Sequence, residues 1–495
     1  MRARVACAVA GVTAALAGCA VGPNYKRPDL TVPQQFYKDS VDSAAAAARR
    51  DSIAAARSLA DAPWWEIYQD TVLTALIDTA LQNGFDARMA LARVDESRAI
   101  YGVAKSQYYP QVGYSAAAAE QRIPTITGDS LAGVAAARYN VLGSLSWELD
   151  IWGRVRRSSE QANAAFLATE EGHRAALLSL TSDVATAYFE LRELDAELVI
   201  ARQTVAAFDT TYQLFTRRLE GGVASKIEPL RAEINLAGVE ADVPELQRQI
   251  VAKENQINFL LGRPPQPVPR GSSLESQPMP PDVPAGLPSS LLERRPDIRA
   301  AEDQVISANA AVGVATANFF PQLSLTGLLG GISHDLSGLF TGGLLWSVGA
   351  GIAGPLFQGG RLLREKDAAV ARWKESTIAY QATVTGAFGE VSTALESRLR
   401  LAEVEVAQAR AERAATEAST LAMTRYLSGL ALYFEVLQAE TARYASQTLL
   451  ARARLNRLLA MVQLYKSLGG GWQAEERAEA AVGAEVQPPA ETPPH

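Results

Sequence analysis

The sequence predicts a mixed α/β membrane protein in which strands from several copies of the chain close a β-barrel continuous with a long antiparallel α-helical barrel. Three observations predict it: a leader that closes on a cysteine, an internal duplication, and, within each copy, a strand pair beside helices too long for a compact domain.

The leader comes first. Arg2 and Arg4 precede an apolar run from Val5 to Leu16, and Leu16-Ala17-Gly18-Cys19 follows. This reads as a lipoprotein signal peptide over residues 1–18, with Cys19 lipidated and a lipidated N-terminal extension over 19–63. Cys7 leaves with the signal, so no disulfide is expected. Beyond Cys19 no uninterrupted apolar stretch of about 18 residues occurs, so any membrane crossing must be made by strands. A net charge of −7 with 20% charged residues gives no reason to expect nucleic acid as a partner. His173, His334 and His495 lie far apart, and no nucleophile elbow, phosphate loop or dinucleotide fingerprint occurs. No catalytic residue, metal site or cofactor is therefore expected.

The duplication sets the domain organisation. Asp86-Ala-Arg-Met-Ala aligns with Asp297-Ile-Arg-Ala-Ala, and Pro110 with Pro321, both at an offset of 211 residues. Leu149-Asp-Ile-Trp-Gly-Arg154 aligns with Leu356-Phe-Gln-Gly-Gly-Arg361, and Asp183-Val-Ala-Thr-Ala with Glu390-Val-Ser-Thr-Ala, at 207. Thr216 and Gly221 align with Thr424 and Gly429 at 208, and Leu230 with Leu437 at 207. Blocks recurring in one order define repeat 1 over 64–262 and repeat 2 over 289–472, joined by a Pro-rich linker over 263–288. Two regions read as peripheral: an alanine-rich loose helix at 41–60 and an acidic, Pro-ended disordered tail at 473–495.

Each repeat then reads as helix, strand pair, very long helix, tight turn and second long helix. Between Arg154 and Leu219 there is no proline, and Val184, Tyr188, Leu191, Leu194, Leu198, Ala201, Val205, Phe208, Tyr212, Phe215 and Leu219 recur at steps of three and four. That spacing predicts a coiled-coil seam over 154–220, roughly 100 Å of helix. Its packing partners are expected over 227–261, and over 361–427 and 432–468 in repeat 2. On helices alone, a rod-like coiled-coil tether between envelope layers stands as the lesser alternative.

The strands separate these readings. Tyr139, Val141, Leu145, Trp147 and Leu149 alternate with Asn140, Ser144, Ser146 and Glu148, with Leu142 as the exception. Leu344, Trp346, Val348, Ala350 and Ile352 repeat the pattern. Partner strands are expected at 111–121 and 322–333, giving hairpins over 111–149 and 322–356 with loops at 122–136 and 334–343. Four strands are too few to close a membrane barrel, which takes about eight, so several chains must contribute.

Cys19-Ala-Val-Gly-Pro-Asn-Tyr-Lys-Arg-Pro28, Trp147-Glu-Leu-Asp-Ile-Trp-Gly-Arg-Val155, Leu261-Gly-Arg-Pro-Pro265, Arg294-Arg-Pro-Asp-Ile-Arg-Ala-Ala301, Phe319-Phe-Pro-Gln-Leu-Ser-Leu-Thr326 and Leu464-Tyr-Lys-Ser-Leu-Gly-Gly-Gly-Trp472 resemble the TolC-like outer-membrane factor family, in its lipid-anchored, NodT-type efflux branch. The resemblance implies a homotrimer with a 12-stranded barrel, four strands per protomer. It also implies a passive duct for drugs or other small toxic compounds in the outer membrane of a Gram-negative bacterium. Beneath it would stand a periplasmic adaptor and an inner-membrane resistance-type pump.

The same resemblance assigns the residues. Adaptor docking would fall to the turns carrying Gly221, Gly222 and Val223, and Gly429 and Leu430. A periplasmic gate would use Tyr426 with Glu228 and Glu435, acidic groups that repel one another around a constricted axis. Ala431 stands where some relatives place a gate arginine and Gln438 where a second acid is often found, so a relative's latch does not carry over whole. Type I protein secretion and metal-ion efflux remain alternative cargoes for the same architecture.

Overall fold

The computed structural model describes residues 20–30, 69–127, 130–279, 291–339 and 344–470. Cys19, the 41–60 insert, part of the linker and the 473–495 tail lie outside the described residues. The chain divides into two compact units.

The first unit takes in residues up to Asp29, Arg93–Glu170 and Ala300–Gln381. It holds a four-stranded sheet in the order β1-β2-β3-β4, made of β1 (Gln111–Thr127), β2 (Ser130–Leu149), β3 (Gln322–Ser333) and β4 (Leu345–Ala353). All pairings are antiparallel: Val112 lies opposite Leu145, Leu145 opposite Gly327, and Gly327 opposite Val348. Residues opposite one another share a face. One face therefore collects Val112, Tyr114, Leu145, Trp147, Leu325, Leu329, Trp346, Val348 and Ile352, and the other Gly113, Ser144, Ser146, Ser324, Thr326, Ser347, Gly349 and Gly351. The register thus turns the period-two pattern into an apolar face and a mixed one, in which the small residues are interrupted by Leu142, Leu328, Ile332, Leu345 and Glu148. The stretch of β2 paired with β3, Tyr139–Leu149, matches the ~9–11 residues a strand needs to cross a bilayer, and β1 pairs with β2 as far as Ser146.

Two strand boundaries differ from expectation. The loop expected at 122–136 is instead a continuation of the hairpin, paired as far as Thr127 and Ser130. Gly and Thr there suggested a loop by composition, whereas Ile123, Thr125, Ile126 and Thr127 are β-branched and the backbone ladder simply continues. In the second hairpin, a 3₁₀ turn at Ser337–Leu339 interrupts the expected loop, and β4 begins at Leu345, one residue late.

The segment after Cys19 is held against this unit. Val21 N–H donates to Trp152 O at 3.0 Å, Arg157 Nη2 to Asn24 Oδ1 at 2.6 Å, and Tyr25 Oη to Glu302 Oε1 at 2.9 Å. Gly22, at φ +102°, lies so close to Gly313 that a Cβ on Gly22 would come 2.6 Å from the Gly313 Cα. A glycine is required here by both conformation and space.

The second unit takes in Leu30–Ala92, Glu171–Arg299 and Ala382 onwards. The helices, in chain order, are α1 (Thr71–Asn83), α2 (Phe85–Ser106), α3 (Arg154–Glu220), α4 (Ile227–Leu260), the single turn α5 (Leu291–Arg294), α6 (Pro296–Ala317), α7 (Arg361–Leu427) and α8 (Tyr433–Ser467). Among the described residues no helix is long and apolar enough to cross a membrane. The apolar seam is buried along α3: Val184, Tyr188, Leu191, Ala201, Phe208 and Phe215 are all inaccessible or nearly so. A carboxylate pair one turn apart on the same helix, Glu193 and Glu197, is also buried; Arg452 Nε donates to Glu197 Oε1 at 2.9 Å. Burial first, and the neighbouring Glu197 charge second, push the Glu193 carboxyl above its ordinary range.

Asp70 ties several elements of this unit together. Its Oδ1 caps α1 by accepting from the Val72 and Leu73 amides at 2.9 and 3.3 Å. Its Oδ2 accepts from Tyr188 Oη of α3 at 3.0 Å and from the Ser272 amide of the linker at 3.3 Å. The Tyr188 hydroxyl accepts in turn from the Gly271 amide at 2.9 Å. Removing the cap costs ~1 kcal/mol, and leaving the fully buried Tyr188 hydroxyl without its acceptor adds ~1–3 kcal/mol. Asp70→Ala is thus expected to destabilise the helical unit by roughly 2–4 kcal/mol, read as a lowered denaturation midpoint, whereas Asp70→Asn, which keeps the cap, loses less.

Candidate functional site

The two helix-joining turns belong to the second unit and have the same geometry. The first ends α3: Val223 N–H donates to Arg218 O and Gly222 N–H to Leu219 O, both at 3.0 Å. The second ends α7: Leu430 N–H donates to Arg425 O at 2.8 Å and Gly429 N–H to Tyr426 O at 2.9 Å. These are paired Schellman closures, and each places one glycine in the left-handed region, Gly222 at φ +74° and Gly429 at +75°. The geometry therefore equates Gly222 with Gly429, an offset of 207, and not Gly221 with Gly429 as residue identity alone had aligned them. Gly221 is not left-handed; its amide continues the α3 ladder to Arg217 O. A Cβ at Gly222 or Gly429 would meet open space, so what these positions require is conformation alone.

In such turns the apolar residue after the glycine usually packs back on the helix. Here it does not: Val223 is 68% and Leu430 70% exposed, and Leu427, Leu432 and Phe434 are exposed beside the second turn. Each turn offers an uncovered apolar side chain on a rigid backbone.

Just above the turns lies an aromatic cluster. Phe215 of α3, Tyr426 of α7 and Tyr433 of α8 are buried together with Ala232, Ala422 and Val436. The Phe215 ring centroid lies 3.9 Å from that of Tyr433 and 5.5 Å from that of Tyr426. Arg218 Nη1 donates to Tyr426 Oη at 2.6 Å, and the Arg218 guanidinium sits 5.3 Å from the same ring's centroid. Three helices from both repeats are thereby tied by one arginine and three rings.

Of the sequence-predicted gate residues, Tyr426 is buried in this cluster and Glu228, half-buried, faces it, while Glu435 is exposed on the opposite side of its helix from Tyr433 and Val436. Burial pushes both tyrosines up, Tyr433 to about 12, and the charge of Glu228 adds to each. Both hydroxyls therefore stay protonated near neutrality, and no tyrosine titration operates here. Sequence reasoning missed Arg218 and Tyr433, and read Phe215 only as a residue of the helical seam. A basic residue in the last turn of a helix is legible as dipole compensation, but its tyrosine partner lies 208 residues away and left no periodic mark.

Phe215 should carry the cluster. Phe215→Ala is expected to cost about 3–5 kcal/mol by opening a cavity between Tyr426 and Tyr433. Hydrogen exchange should quicken at 212–220 and 424–436 while the Tyr188 region stays protected.

Comparison with known proteins agrees over nearly the whole chain. A family model described as outer membrane efflux protein matches residues 76–263 and 287–470. The probable efflux pump outer membrane protein TtgC of Pseudomonas putida is 33% identical over 479 residues, covering 96% of this chain and 97% of that protein. The cation efflux system protein CusC of Escherichia coli is 32% identical over 467 residues, covering 93% and 98%. The crystal structure of the open state of the MtrE outer membrane channel of Neisseria gonorrhoeae superposes with a TM-score of 0.80 at 32% identity, covering 92% of this chain and 99% of that one.

Proposed function

The chain belongs to the outer membrane efflux protein family and is the outer-membrane exit duct of a tripartite efflux system, and from that premise we propose that it passively passes drugs and other small toxic compounds. Channels of this family work as trimers, so three four-stranded sheets supply the 12 strands of one barrel. The observation that carries the reading is the sheet itself: an apolar face, a second face richer in Ser, Thr and Gly, and, among the described residues, β1 and β4 each paired on one side only. Apolar side chains suit lipid, and small neutral groups suit an unselective lumen. Selectivity and energy then belong to the inner-membrane pump, and the chain needs no catalytic group or cofactor.

The finer assignments rest on chemistry. Lipidation at Cys19 is supported by the path of its neighbour: Ala20 lies against Gly153, four residues beyond the end of β2. The acyl chains would then enter the inner leaflet at the foot of the barrel, an accessory to strands that already hold the chain in the membrane. Tyr426, held by Arg218, is the gate residue of the reading. Its loss of one hydrogen bond in Tyr426→Phe is expected to raise single-channel conductance in planar bilayers, with Glu228 and Glu435 left in place to set cation preference. Unchanged conductance would remove Tyr426 from the gate.

The turns are the proposed seat of a periplasmic adaptor. Because Val223 and Leu430 are exposed, charging them costs the fold little. Val223→Asp and Leu430→Asp together should leave trimers in the outer membrane at normal abundance while abolishing drug resistance and adaptor cross-linking. Retained resistance would place docking elsewhere.

A further inference from the structure

The duplication specifies how successive copies of the chain join. Hairpin one pairs Gln111 with Ser146 and hairpin two pairs Gln322 with Ala353. The structure therefore maps β1 onto β3 by 211 residues and β2 onto β4 by 207, the offsets that separate Pro110 from Pro321 and Leu149 from Leu356. The junction between the two hairpins is β2 on β3, with Leu149 opposite Leu323, Leu145 opposite Gly327 and Gly143 opposite Leu329. The chain holds the two halves of a second such junction, β4 and β1, at opposite edges of one sheet. They cannot meet within a single copy, since four strands do not close.

We propose that β4 of one copy pairs with β1 of the next in the register obtained by carrying the β2–β3 junction through these two offsets. Leu356 then stands opposite Val112 of the next copy, Ile352 opposite its Ala116, and Ala350 opposite its Ala118. The proposal rests on the trimeric duct reading and adds to it the residues that meet.

Several observations agree with that register. Leu356 and Val112 are both largely exposed in the single chain, whereas their counterparts Leu149 and Leu323 cover each other and are half-buried. The apolar faces continue across the junction, and Ala353, Gly351 and Gly349 meet Ser115, Ala117 and Ala119 on the small-residue face. A slip of one residue would turn the apolar set of β4 towards the lumen. Tyr114, 90% exposed, already has Gly143 beside it in its own copy, and the register puts Gly354 of the preceding copy on its other side. The ring then has room over both neighbours. Pro355 falls where copy one has Glu148; it carries no N–H and sits at the end of the ladder, where a missing donor costs least. The pairing also extends β4 past Ala353 to Leu356, matching the length at which its counterpart β2 ends.

A slip of two residues keeps the faces and must be distinguished by experiment. The sequence has cysteines only at Cys7 and Cys19, so introduced pairs read cleanly. In full-length protein in outer membranes, Ile352→Cys with Ala116→Cys should oxidise to covalently joined copies, since residues directly opposite across antiparallel strands lie within disulfide reach. Gly351→Cys with Ala117→Cys, one residue along on the other face, should do the same and guards against an unfavourable geometry at the first pair. Ile352→Cys with Tyr114→Cys or with Ala118→Cys should link several-fold less, and each single variant not at all between copies at this junction. Equal or better linking of either displaced pair, or trimers in which neither predicted pair links, overturns the register while leaving the duct intact. Monomers of the unsubstituted chain would overturn both.

Discussion

Every backbone amide and carbonyl that enters hydrocarbon must find a partner inside the protein, because lipid offers none. That constraint acts on two strands of this chain. Among the described residues, β1 and β4 each present a row of donors and acceptors with no strand partner in the same copy. In water such edges invite aggregation, and in lipid each unpaired group costs several kcal/mol. The chain is therefore incomplete by itself, and oligomerisation is as much a part of its folding as hairpin formation. Duplication makes this economical: one junction between hairpins, solved once within the chain as β2 on β3, is solved again between chains by the same residue types.

The same economy explains why so much was legible in the sequence. Period-two alternation survives because one face meets lipid and the other a lumen, and the 3.6-residue period survives because α3 and α7 have one seam to bury. Both signals are long, so the helix pairs and the strand-bearing segments stand out, and the offsets of 211 and 207 are the structural offsets of the strands. What was less legible is local. The first hairpin runs past 121 because pairing needs only a facing backbone, which a composition of Gly, Thr and Asp disguises. The one-residue shift at the turns arose because residue identity favoured Gly221 whereas left-handed φ belongs to Gly222. Two adjacent glycines leave that choice to hydrogen bonding, which no composition records.

The site divides in the same way. The turns were readable since a long antiparallel helix pair requires a left-handed residue at its junction. The grip on Tyr426 was not, because Arg218, Phe215 and Tyr433 meet it only in three dimensions. Asp70 is a comparable case: its N-cap role could be read from its place before Thr71, but not its bond to Tyr188, 118 residues away.

The two copies agree in backbone and differ in chemistry, and that difference bears on the gate proposed at Tyr426. At equivalent positions α3 has Leu219 and α7 has Tyr426; Phe215 is matched by Ala422. The ring and its acceptor oxygen come from one repeat, while the large hydrophobic knob and the arginine come from the other. A symmetric arrangement would give each helix pair its own anchor and let the pairs move independently. The observed one binds α7 and α8 to the end of α3 through a single buried contact, so displacement of the second turn strips Phe215 of two ring neighbours and Arg218 of its acceptor at once. A gate built on this contact has few intermediate positions, since half-separated rings keep neither their packing nor their hydrogen bond. Force applied at the exposed Leu430, four residues past Gly429's partner Tyr426 along the same turn, would reach that contact through a backbone already fixed by hydrogen bonds at both ends.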